Sequence, residues 1–512
     1  MDWKHGYFAN SGYVYGYYPE LMPSRLYWAA LLQGHLTPIK QFRYLDAGCG
    51  QGMSLLFAAA AYPDSEFVGI DFMPEHIAHA KRIAREAGLT NVTFLEADFI
   101  DLAENAHDYS VLQQAFDYVV CHGITTWISP VVRTALFKFI SQVLGPGGVF
   151  YNSYNTLPGW LGTSPLQHLV FLQRDGADGQ TALLRAQAIF EQLVQADNSL
   201  FADQPGLLRR LELIKKQDPA YLQQEYNNEF WQPMYFSDMY EALSGCKLNH
   251  LGTATLSDIF YNLLADGVQK LLKEQKTLLL REQLRDYAVN QSFRRDLFVK
   301  GVNKLWPGLQ KNLIDQFRFI RNPLVQIPAF GDPYLITGSS VLLNSDPETF
   351  GRILGLFSTS ENGTMLSDVL KNNPDPTQRQ AAIQAVSLLM QGGWLMPGVA
   401  TDECLTSNGS RLNKVLSTAI SHGAPYKHLC LPKAGTALSI SDTEWILLRC
   451  VQQQVPKDQW ITFVIHSLFE TGRAILKDGQ PLKGEALRDF VINVISEFDT
   501  ERLPFYQGLD AV

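Results

Sequence analysis

The chain has 512 residues, more than one hydrophobic core normally supports, so we expect roughly three or four domains. Hydrophobic residues make up 46% of the sequence and charged residues 18%, which is typical of a water-soluble globular protein. The net charge of −9 excludes the basic footprint of a nucleic-acid-binding protein, so no nucleic-acid partner is expected. No run of residues approaches the ~20 apolar positions that a membrane span needs.

Strands and helices alternate up to Pro158, which predicts a mainly parallel sheet with helices on both faces. A first helix is predicted to begin at Pro23. The later helices are predicted over MSLLFAAAAY (53–62), from Pro74 to Gly88, and from Pro130 to Leu144. The strands are predicted over FRYLDAG (42–48), EFVGID ending at Asp71, NVTFLEA ending at Asp98, FDYVVCHG ending near Gly123, and VFYNSYN after the turn GPGG (145–148).

After Gly159 the alternation ends, and amphipathic patterns such as ALLRAQAIFEQLV predict helices from about 160 to 300. Residues 365–397 predict two helices followed by a short strand, an order that resembles a winged helix. Because basic residues are sparse there, we expect a structural or dimerisation role for this module instead of DNA binding. The polar stretch 400–430 is predicted to be a loop, and 440–497 to be helical.

The motif LDAGCGQG follows the first predicted strand and contains Asp46, Gly48, Cys49, Gly50 and Gly52. Alternating glycines let a backbone pass close to a bound ligand without side-chain collisions. Nucleotide-binding folds for NAD have the spacing GxGxxG, whereas this loop has GxGxG preceded by an acid. A carboxylate at that point repels phosphate but suits the ammonium of a methionine moiety, and we expect Cys49 to fill space.

Two further acids end the next two predicted strands. Asp71 is placed to receive hydrogen bonds from a ribose diol, and Asp98 is placed to accept from an adenine amino group. Phe72 and Phe99 are the candidate neighbours of the adenine ring. The alternative is that the three acids are unrelated residues of surface turns, which their common register with the glycine loop disfavours.

These motifs resemble those of class I S-adenosylmethionine-dependent methyltransferases. A narrower resemblance connects the chain with bacterial methyltransferases that have a methyltransferase regulatory domain, best known as protein-lysine methyltransferases of outer-membrane surface proteins. The similar segments are YGYYPELMPSRL (15–26), CHGITTWISP (121–130), YNSYNTLPGW (151–160), EYNNEFWQPMYFSDMYEAL (225–243) and REQLRDYAVNQSFRRDLFV (281–299). One departure is the segment LGTSPLQHLVFLQ (161–173), where those lysine enzymes have a basic, His-rich helix. Since this segment lies near the methyl-transfer site, the acceptor can differ while the chemistry does not.

The resemblance implies the fold class, an α/β Rossmann-like methyltransferase domain followed by mainly helical accessory domains, one of them winged-helix-like. The predicted domains are the methyltransferase domain (1–158), a helical regulatory and dimerisation region (159–300), the winged-helix-like domain (301–400) and a helical C-terminal domain (401–512). The implied cofactor is S-adenosylmethionine. The implied reaction is transfer of its methyl group to lysine side chains of a protein, such as a surface or secreted protein before export.

Four residues at the carboxyl edge of the predicted sheet are candidates for the catalytic site, because ligands of open α/β folds bind at that edge. Tyr154 is expected to orient the acceptor, beside Asn155 at the end of the same strand. His122 is either a base or a packing neighbour of the cofactor, and Trp127 is either part of the acceptor wall or a core residue, as is Trp160. The aromatic residues Tyr15, Tyr17 and Tyr18 are expected to cover the cofactor, or else to anchor the N-terminal arm.

Two alternatives remain open from the sequence: a small-molecule N- or O-methyltransferase, and a cofactor-binding scaffold without turnover. The scattered cysteines, without a CxxC pair or a histidine at metal-ligand spacing, predict a metal-independent protein of the reducing cytoplasm. The amphipathic run near 268–290 and the family resemblance together predict a homodimer.

Overall fold

The central element is a seven-stranded sheet with strand order β3-β2-β1-β4-β5-β7-β6. The strands are β1 (Arg43–Ala47), β2 (Glu66–Asp71), β3 (Val92–Glu96), β4 (Phe116–His122), β5 (Leu144–Asn155), β6 (Asn249–Thr253) and β7 (Phe293–Val299). The first five strands pair in parallel, and β7 and β6 extend the sheet with antiparallel pairings. The strand order reverses between β1 and β4, so the carboxyl ends of these strands border the crevice where open α/β sheets bind ligands.

The computed structural model describes residues 14–174, 178–196, 199–215, 222, 225–326, 334–335, 342–343, 347–371, 375–398, 407–477 and 479–512. Within these ranges, no helix combines the length and the apolarity that crossing a bilayer requires.

Helices cover both faces of the sheet, as the alternation of elements predicts. Five helices belong to the parallel part: α1 (Pro23–Leu32), α2 (Met53–Ala61), α3 (Pro74–Ala87), α4 (Phe99–Asn105) and α5 (Pro130–Val143). The apolar side chains of α1, α2 and α3 form one core, which continues into the C-terminal part of the chain. Those of α4 and α5 form a second core on the opposite face, together with helix Phe236–Gly245.

The region predicted to be helical from 160 to 300 is mainly helical, but it also provides β6 and β7. The amino-acid sequence of β7 does not show the hydrophobic pattern of a strand, because its buried positions include the charged residues Arg294 and Asp296. These two side chains pair with each other, with 2.8 Å between Nε of Arg294 and Oδ2 of Asp296. An ion pair inside the fold therefore replaces the apolar alternation by which strands are recognised.

The remaining helices and short strands build the accessory parts. The helices are Ser164–Leu172, Gly179–Gln195, Ser199–Asp203, Pro205–Ile214, Phe236–Gly245, Asp266–Lys273, Leu278–Val289, Pro307–Gln316, Pro347–Leu354, Leu366–Leu370, Pro376–Gln391, Ser407–Ile420, Asp442–Gln452, Trp460–Glu470, Gly484–Glu497 and Leu503–Gly508, with a π-helix at Phe498–Arg502. The strands are Arg318–Arg321, Tyr334–Leu335, Leu342–Leu343, Thr364–Met365, Leu395–Pro397, His428–Leu431, Thr436–Ser439, Leu476–Lys477 and Gln480–Pro481.

Two helices followed by a strand occur at 366–397, as predicted, and the strand joins a three-stranded sheet centred on Arg318–Arg321. The likeness of this part to a winged helix, and the domain boundaries, stay predictions.

The loop predicted at 400–430 is wrong for part of its length, because Ser407–Ile420 is a helix. Its polar residues recur along the whole helix, from Ser407 and Asn408 to Ser417 and Thr418, which gives the sequence a loop-like composition. The apolar residues Leu412, Leu416 and Ile420 recur at helical spacing and are buried. This helix packs against α2 and α3. Residues 400–406 of the predicted loop lie outside the described residues.

Candidate active site

The glycine loop between β1 and α2 has the conformation that its glycines predict. Gly48 and Gly52 have φ values of +90° and +78°, which disfavour residues with a side chain. A Cβ at Gly48 would lie 2.7 Å from a side-chain carbon of Ile124, and a Cβ at Gly52 would lie 2.7 Å from Ala80. The loop also donates a backbone hydrogen bond of 2.8 Å from Gly48 to the carbonyl oxygen of Ile70 in β2. The glycines are therefore required by close packing as well as by access to a ligand.

Asp71, at the end of β2, holds this loop in place. Its Oδ2 accepts a hydrogen bond of 2.9 Å from the backbone N–H of Gly50, and its Oδ1 accepts one of 2.9 Å from that of Met73. The ring of His76 approaches Oδ1 to 3.2 Å. Because a carboxylate offers about four acceptor sites, Asp71 can anchor the loop and still receive a ribose hydroxyl.

An apolar cavity lies beside Asp71, lined by Gly48, Asp71, Phe72, Ala97, Asp98, Phe99, Ile124, Trp127, Ile128 and Val132. Its walls are mostly hydrocarbon and aromatic, which suits a purine ring, and the two carboxylates supply acceptors. Asp98 has a second task, since its Oδ1 caps helix α4 by accepting a hydrogen bond of 2.6 Å from the N–H of Ile100. The sequence predicts Asp71, Phe72, Asp98 and Phe99 at one ligand, and they meet at this apolar cavity.

A second cavity, the Asp46 cavity, lies on the other side of the glycine loop. Its lining includes Tyr18, Asp46, Gln51 and His122. Burial, together with the nearby carboxylate of Asp71, raises the pKa of Asp46 to about 7. Within the part of the chain that the structure describes, the buried Oε1 of Gln51 has no hydrogen-bond partner. An ammonium group in this cavity would supply the missing donor and favour the charged form of Asp46, so the residues fit the methionine end of S-adenosylmethionine.

His122, at the end of β4, lies between the Asp46 cavity and a third cavity. Its Nδ1 lies 3.0 Å from the hydroxyl of Tyr151 and 3.0 Å from Oγ of Ser153. The ring packs on Tyr18, with 4.1 Å between the ring centroids. Burial lowers the pKa of His122 to about 4, so the ring is neutral near pH 7 and is a weak acceptor for the proton of an ammonium group. This geometry favours the packing role of His122 over that of a base.

The third cavity, the aromatic cavity, has aromatic and charged walls. Its lining includes the aromatic residues Tyr18, Trp127, Trp160 and Phe293, and the polar residues Glu20, His122, Asn155, Arg210, Glu225 and Arg295. It shares Trp127 with the apolar cavity, and Tyr18 and His122 with the Asp46 cavity. The aromatic cavity therefore borders both parts of the cofactor site, where a methyl acceptor must bind.

Glu225 is a residue of this cavity that no single sequence motif identifies. Its side chain is buried, and its Oε1 accepts hydrogen bonds of 2.6 Å from Nδ2 of Asn155 and 2.9 Å from Nε1 of Trp231. Glu225 and Trp231 both belong to the segment EYNNEFWQPM, one of the segments similar to the family. That similarity was the available signal, but nothing in the sequence paired Glu225 with Asn155.

A second carboxylate of the cavity, Glu20, pairs with Arg295 of β7 at 2.8 Å. Burial opposes ionisation of Glu20, but Arg295 and, to a smaller extent, His122 outweigh it, so the pKa of Glu20 is lowered to about 2. Glu20 is thus ionised at every physiological pH.

The structure separates Tyr154 from Asn155. Neighbouring residues of a strand point to opposite faces, and Asn155 lines the aromatic cavity while Tyr154 is buried in the core on the other face. The Tyr154 hydroxyl donates a hydrogen bond of 2.7 Å to Oδ2 of Asp296. Asn155, His122 and Trp127 are therefore brought together at the cavities, and Tyr154 is not.

The other residues singled out from the sequence are Cys49, Trp160 and the tyrosines near the N-terminus, and their contacts indicate what each of them does. Cys49 is a thiol whose pKa burial raises well above the ordinary value, as expected of a space-filling residue. Trp160 lines the aromatic cavity and donates a hydrogen bond of 2.7 Å to the carbonyl oxygen of Ser292. Residues 14–18, which we call the strap, cross the Asp46 cavity; Tyr18 lines it, and Tyr15 and Tyr17 contact the C-terminal part of the chain.

Two family models match parts of the chain that contribute residues to this site. Residues 45–148 match the model of a methyltransferase domain, and residues 218–300 match that of a predicted methyltransferase regulatory domain. An uncharacterized protein of Synechocystis sp. is 31% identical over an alignment of 523 positions, which covers 99% of each chain. An uncharacterized protein of Rickettsia prowazekii is 25% identical over 309 positions, 60% of this chain and 55% of its own length.

Among solved structures, PKMT2 from Rickettsia typhi in complex with AdoHcy has the same fold, with a TM-score of 0.70 and 20% identity over 97% of this chain and 100% of that chain. The methyltransferase model covers the glycine loop and the acids Asp46, Asp71 and Asp98, and the regulatory model covers Glu225 and β7. The chain therefore belongs to the S-adenosylmethionine-dependent methyltransferases of class I that have a methyltransferase regulatory domain.

Proposed function

We propose that this methyltransferase acts on the side-chain amine of lysine residues in a protein substrate. The observation that supports this acceptor best is the aromatic cavity, in which the buried carboxylate of Glu225 lies among tryptophan, tyrosine and phenylalanine side chains. Aromatic faces attract a cation, and a carboxylate binds an ammonium group directly. A lysine side chain, with its apolar stem and cationic end, matches both features.

The chemistry requires the amine to lose its proton before it reacts. At pH 7 this costs roughly 4–5 kcal/mol for a lysine with its reference pKa of about 10.4. Bound S-adenosylmethionine supplies a methyl group on a sulfonium; the nitrogen lone pair forms the new bond to carbon, and the electrons of the carbon–sulfur bond stay on sulfur as a neutral thioether. The residues of the chain contribute orientation and exclusion of water.

The charged walls have two separate effects on the acceptor. Glu225 attracts the ammonium to the cavity, whereas the guanidinium group of Arg210 favours its neutral form. The charges of Glu20 and Arg295 largely cancel, since these two side chains form an ion pair. His122 is neutral near pH 7 because burial lowers its pKa to about 4, so we assign the proton to solvent and not to this ring. We assign to Asn155 the task of holding Glu225 in place through their hydrogen bond of 2.6 Å.

A macromolecular acceptor also agrees with the size of the accessory parts and with the resemblance to protein-lysine methyltransferases of surface proteins. On this proposal the enzyme works as a homodimer in the cytoplasm, before its substrate is exported. The departure from those enzymes at residues 161–173 leaves the identity of the protein substrate to experiment.

The test is transfer of isotopically labelled methyl groups from S-adenosylmethionine to a panel of unmodified bacterial surface proteins, with a small-molecule extract assayed in parallel. We expect mass spectrometry to find the label on lysine. Glu225→Gln should lower turnover at least tenfold, whereas Glu229→Gln, an exposed acid four residues further on, should not change it. Label found in the extract alone, or on hydroxyl or carboxylate groups, contradicts the proposal.

A further inference from the structure

The C-terminal part of the chain is connected to the glycine loop by a chain of hydrogen bonds. The hydroxyl of Tyr426 lies 2.7 Å from Nε2 of His79, and Nδ1 of the same ring lies 2.9 Å from the carbonyl oxygen of Gln51. Since a carbonyl oxygen only accepts, Nδ1 must have the hydrogen atom; in the neutral ring Nε2 then accepts and Tyr426 donates. The order of donors fixes the tautomer of His79 and the position of the loop carbonyl.

The strap is held by the same part of the chain. The hydroxyl of Tyr17 accepts a hydrogen bond of 3.0 Å from the backbone N–H of Ala437 and lies 2.6 Å from Oγ1 of Thr436. One residue along, the N–H of Tyr18 donates 3.0 Å to Oγ of Ser54 in α2. Tyr15 packs against both members of the first connection, with its ring centroid 5.0 Å from that of His79 and 5.3 Å from that of Tyr426.

The strap is held by a hairpin of two antiparallel strands, His428–Leu431 and Thr436–Ser439, and this hairpin is itself firmly attached. Asn413, in helix Ser407–Ile420, donates a hydrogen bond of 2.9 Å to the carbonyl oxygen of Cys430 and accepts one of 2.8 Å from its N–H. The same side chain donates 2.7 Å to the carbonyl oxygen of Ala511 near the end of the chain. Since helix Ser407–Ile420 packs on α2 and α3, Tyr426 and Thr436 belong to a part of the chain that is held against the methyltransferase domain.

We propose that residues 407–512 position the cofactor: Tyr426 acts through His79 on the glycine loop, and Thr436 acts through Tyr17 on the strap. Neither residue touches the cofactor site itself; each is a positioning residue that acts through another. The proposal concerns binding of S-adenosylmethionine and is independent of the nature of the methyl acceptor.

The two connections lead to one end of the cofactor site. Gln51 and the strap residues Val14, Gly16 and Tyr18 line the Asp46 cavity, and the lining of the apolar cavity includes none of them. Loss of either connection should therefore weaken ligands that have the amino-acid end of the cofactor. The affinity for ligands that contain only the adenosine end should not change.

The experiment compares two thioethers that differ only in the amino-acid portion, S-adenosylhomocysteine and 5′-methylthioadenosine, by titration calorimetry on the full chain. Tyr426→Phe and Thr436→Val should each raise the Kd of S-adenosylhomocysteine about 3- to 10-fold, the range of one net hydrogen bond. The Kd of 5′-methylthioadenosine should stay within twofold. His79→Asn, which keeps a donor near the loop carbonyl, should bind S-adenosylhomocysteine more tightly than His79→Leu.

Tyr506→Phe is the matched control, because it removes a buried hydrogen bond of 2.8 Å to Glu444 within the same part of the chain. It should lower Tm without changing the Kd of either ligand. A second readout needs no ligand: amide hydrogen exchange over residues 48–56 should become faster in Tyr426→Phe than in Tyr506→Phe. The proposal is overturned if both ligands weaken equally in Tyr426→Phe and Thr436→Val, if neither weakens, or if Tyr506→Phe has the same effect as these variants.

Discussion

The carboxylate of Asp71 contributes to the raised pKa of Asp46, which burial and this neighbour bring to about 7. Asp71 is itself fixed by hydrogen bonds from the backbone N–H groups of Gly50 in the glycine loop and of Met73, so it cannot turn away from Asp46. The site thus contains a carboxyl group that is half protonated near neutral pH. A cationic ligand would stabilise the ionised form of this carboxyl group.

Binding of S-adenosylmethionine should therefore depend on pH. Below pH 7 Asp46 is protonated in the free protein and offers its ammonium partner no charge, so Kd should rise up to about tenfold for each pH unit of acidification. Above about pH 8 the affinity should level off. Calorimetry between pH 5.5 and 8.5 measures this, and Asp46→Asn should bind weakly with no such slope. A slope of the same size in Asp46→Asn would exclude Asp46 as its source.

The same pKa predicts a stability effect of opposite sign in the ligand-free protein. The pKa of Asp46 is about 7 in the folded chain, above its unfolded value of 3.8, so the folded state holds the proton more tightly. The stability that this proton provides is complete below the unfolded pKa and is lost as pH rises through the folded value. Asp46→Asn should consequently have a higher Tm than the wild type at pH 8, while it binds the cofactor less well. Differential scanning calorimetry without ligand checks this, and a lower Tm in the variant would contradict the burial argument.

Asp71→Ala should remove the ribose acceptor and the anchor of Gly50 together. We expect a loss of about 2–4 kcal/mol in binding of S-adenosylmethionine, roughly 30- to 800-fold in Kd. Equal binding by the wild type and Asp71→Ala, measured by titration calorimetry, would exclude the ribose assignment.

Asp98 allows its two tasks to be separated by a pair of variants. Asparagine caps a helix about as well as aspartate, whereas alanine costs about 1 kcal/mol of stability. Asp98→Asn should therefore keep the Tm of the wild type and lose affinity for the cofactor, and Asp98→Ala should lose both. If Asp98→Asn binds like the wild type, the carboxylate caps α4 and does not recognise adenine.

The sequence was sufficient for the parallel sheet and for the group of candidate cofactor residues that meet at its edge, because their signals are local: a strand, a turn with glycines, and an acid at a fixed place. It was insufficient for contacts between distant segments. Asn155 and Glu225 are 70 positions apart, and His79 and Tyr426 are 347 apart, so no motif contains both members of either pair. The opposite orientations of Tyr154 and Asn155 follow from the two-residue period of a strand, and that period distinguishes the residue of the cavity from the residue of the core.

These neighbours should consequently behave differently when they are substituted. Tyr154→Phe removes the hydrogen bond to the buried Asp296 and should cost about 1–3 kcal/mol of unfolding free energy with turnover unchanged. Asn155→Ala should lower kcat/KM for the acceptor and leave the Kd of S-adenosylmethionine unchanged. Thermal unfolding and steady-state kinetics on both variants test this, and a loss of turnover in folded Tyr154→Phe would return this residue to the catalytic site.

The predicted homodimer can now be tested at particular positions. Leu271, Leu280 and Tyr287 are exposed on helices Asp266–Lys273 and Leu278–Val289, within the run that favoured dimerisation. Leu280→Glu should reduce the mass measured by light scattering towards that of a monomer, and Leu476→Glu, an exposed leucine elsewhere, should not. A chain truncated at residue 160 is unsuitable for this test, since it would lack β6 and β7.

The rate of methylation should rise with pH from 7 to 9 if the acceptor is lysine, because more of the substrate amine is neutral. Asp46 does not contribute to this rise when S-adenosylmethionine is saturating. Its pKa is about 7 in the free protein, and the bound cationic ligand lowers it below that value. His122 does not contribute either, because its pKa of about 4 lies far below the range. His122→Asn should therefore lower turnover through lost packing on Tyr18 but keep the same rise with pH. A flat profile in His122→Asn beside a rising one in the wild type would identify His122 as the base, and a flat profile in both would exclude lysine as the acceptor.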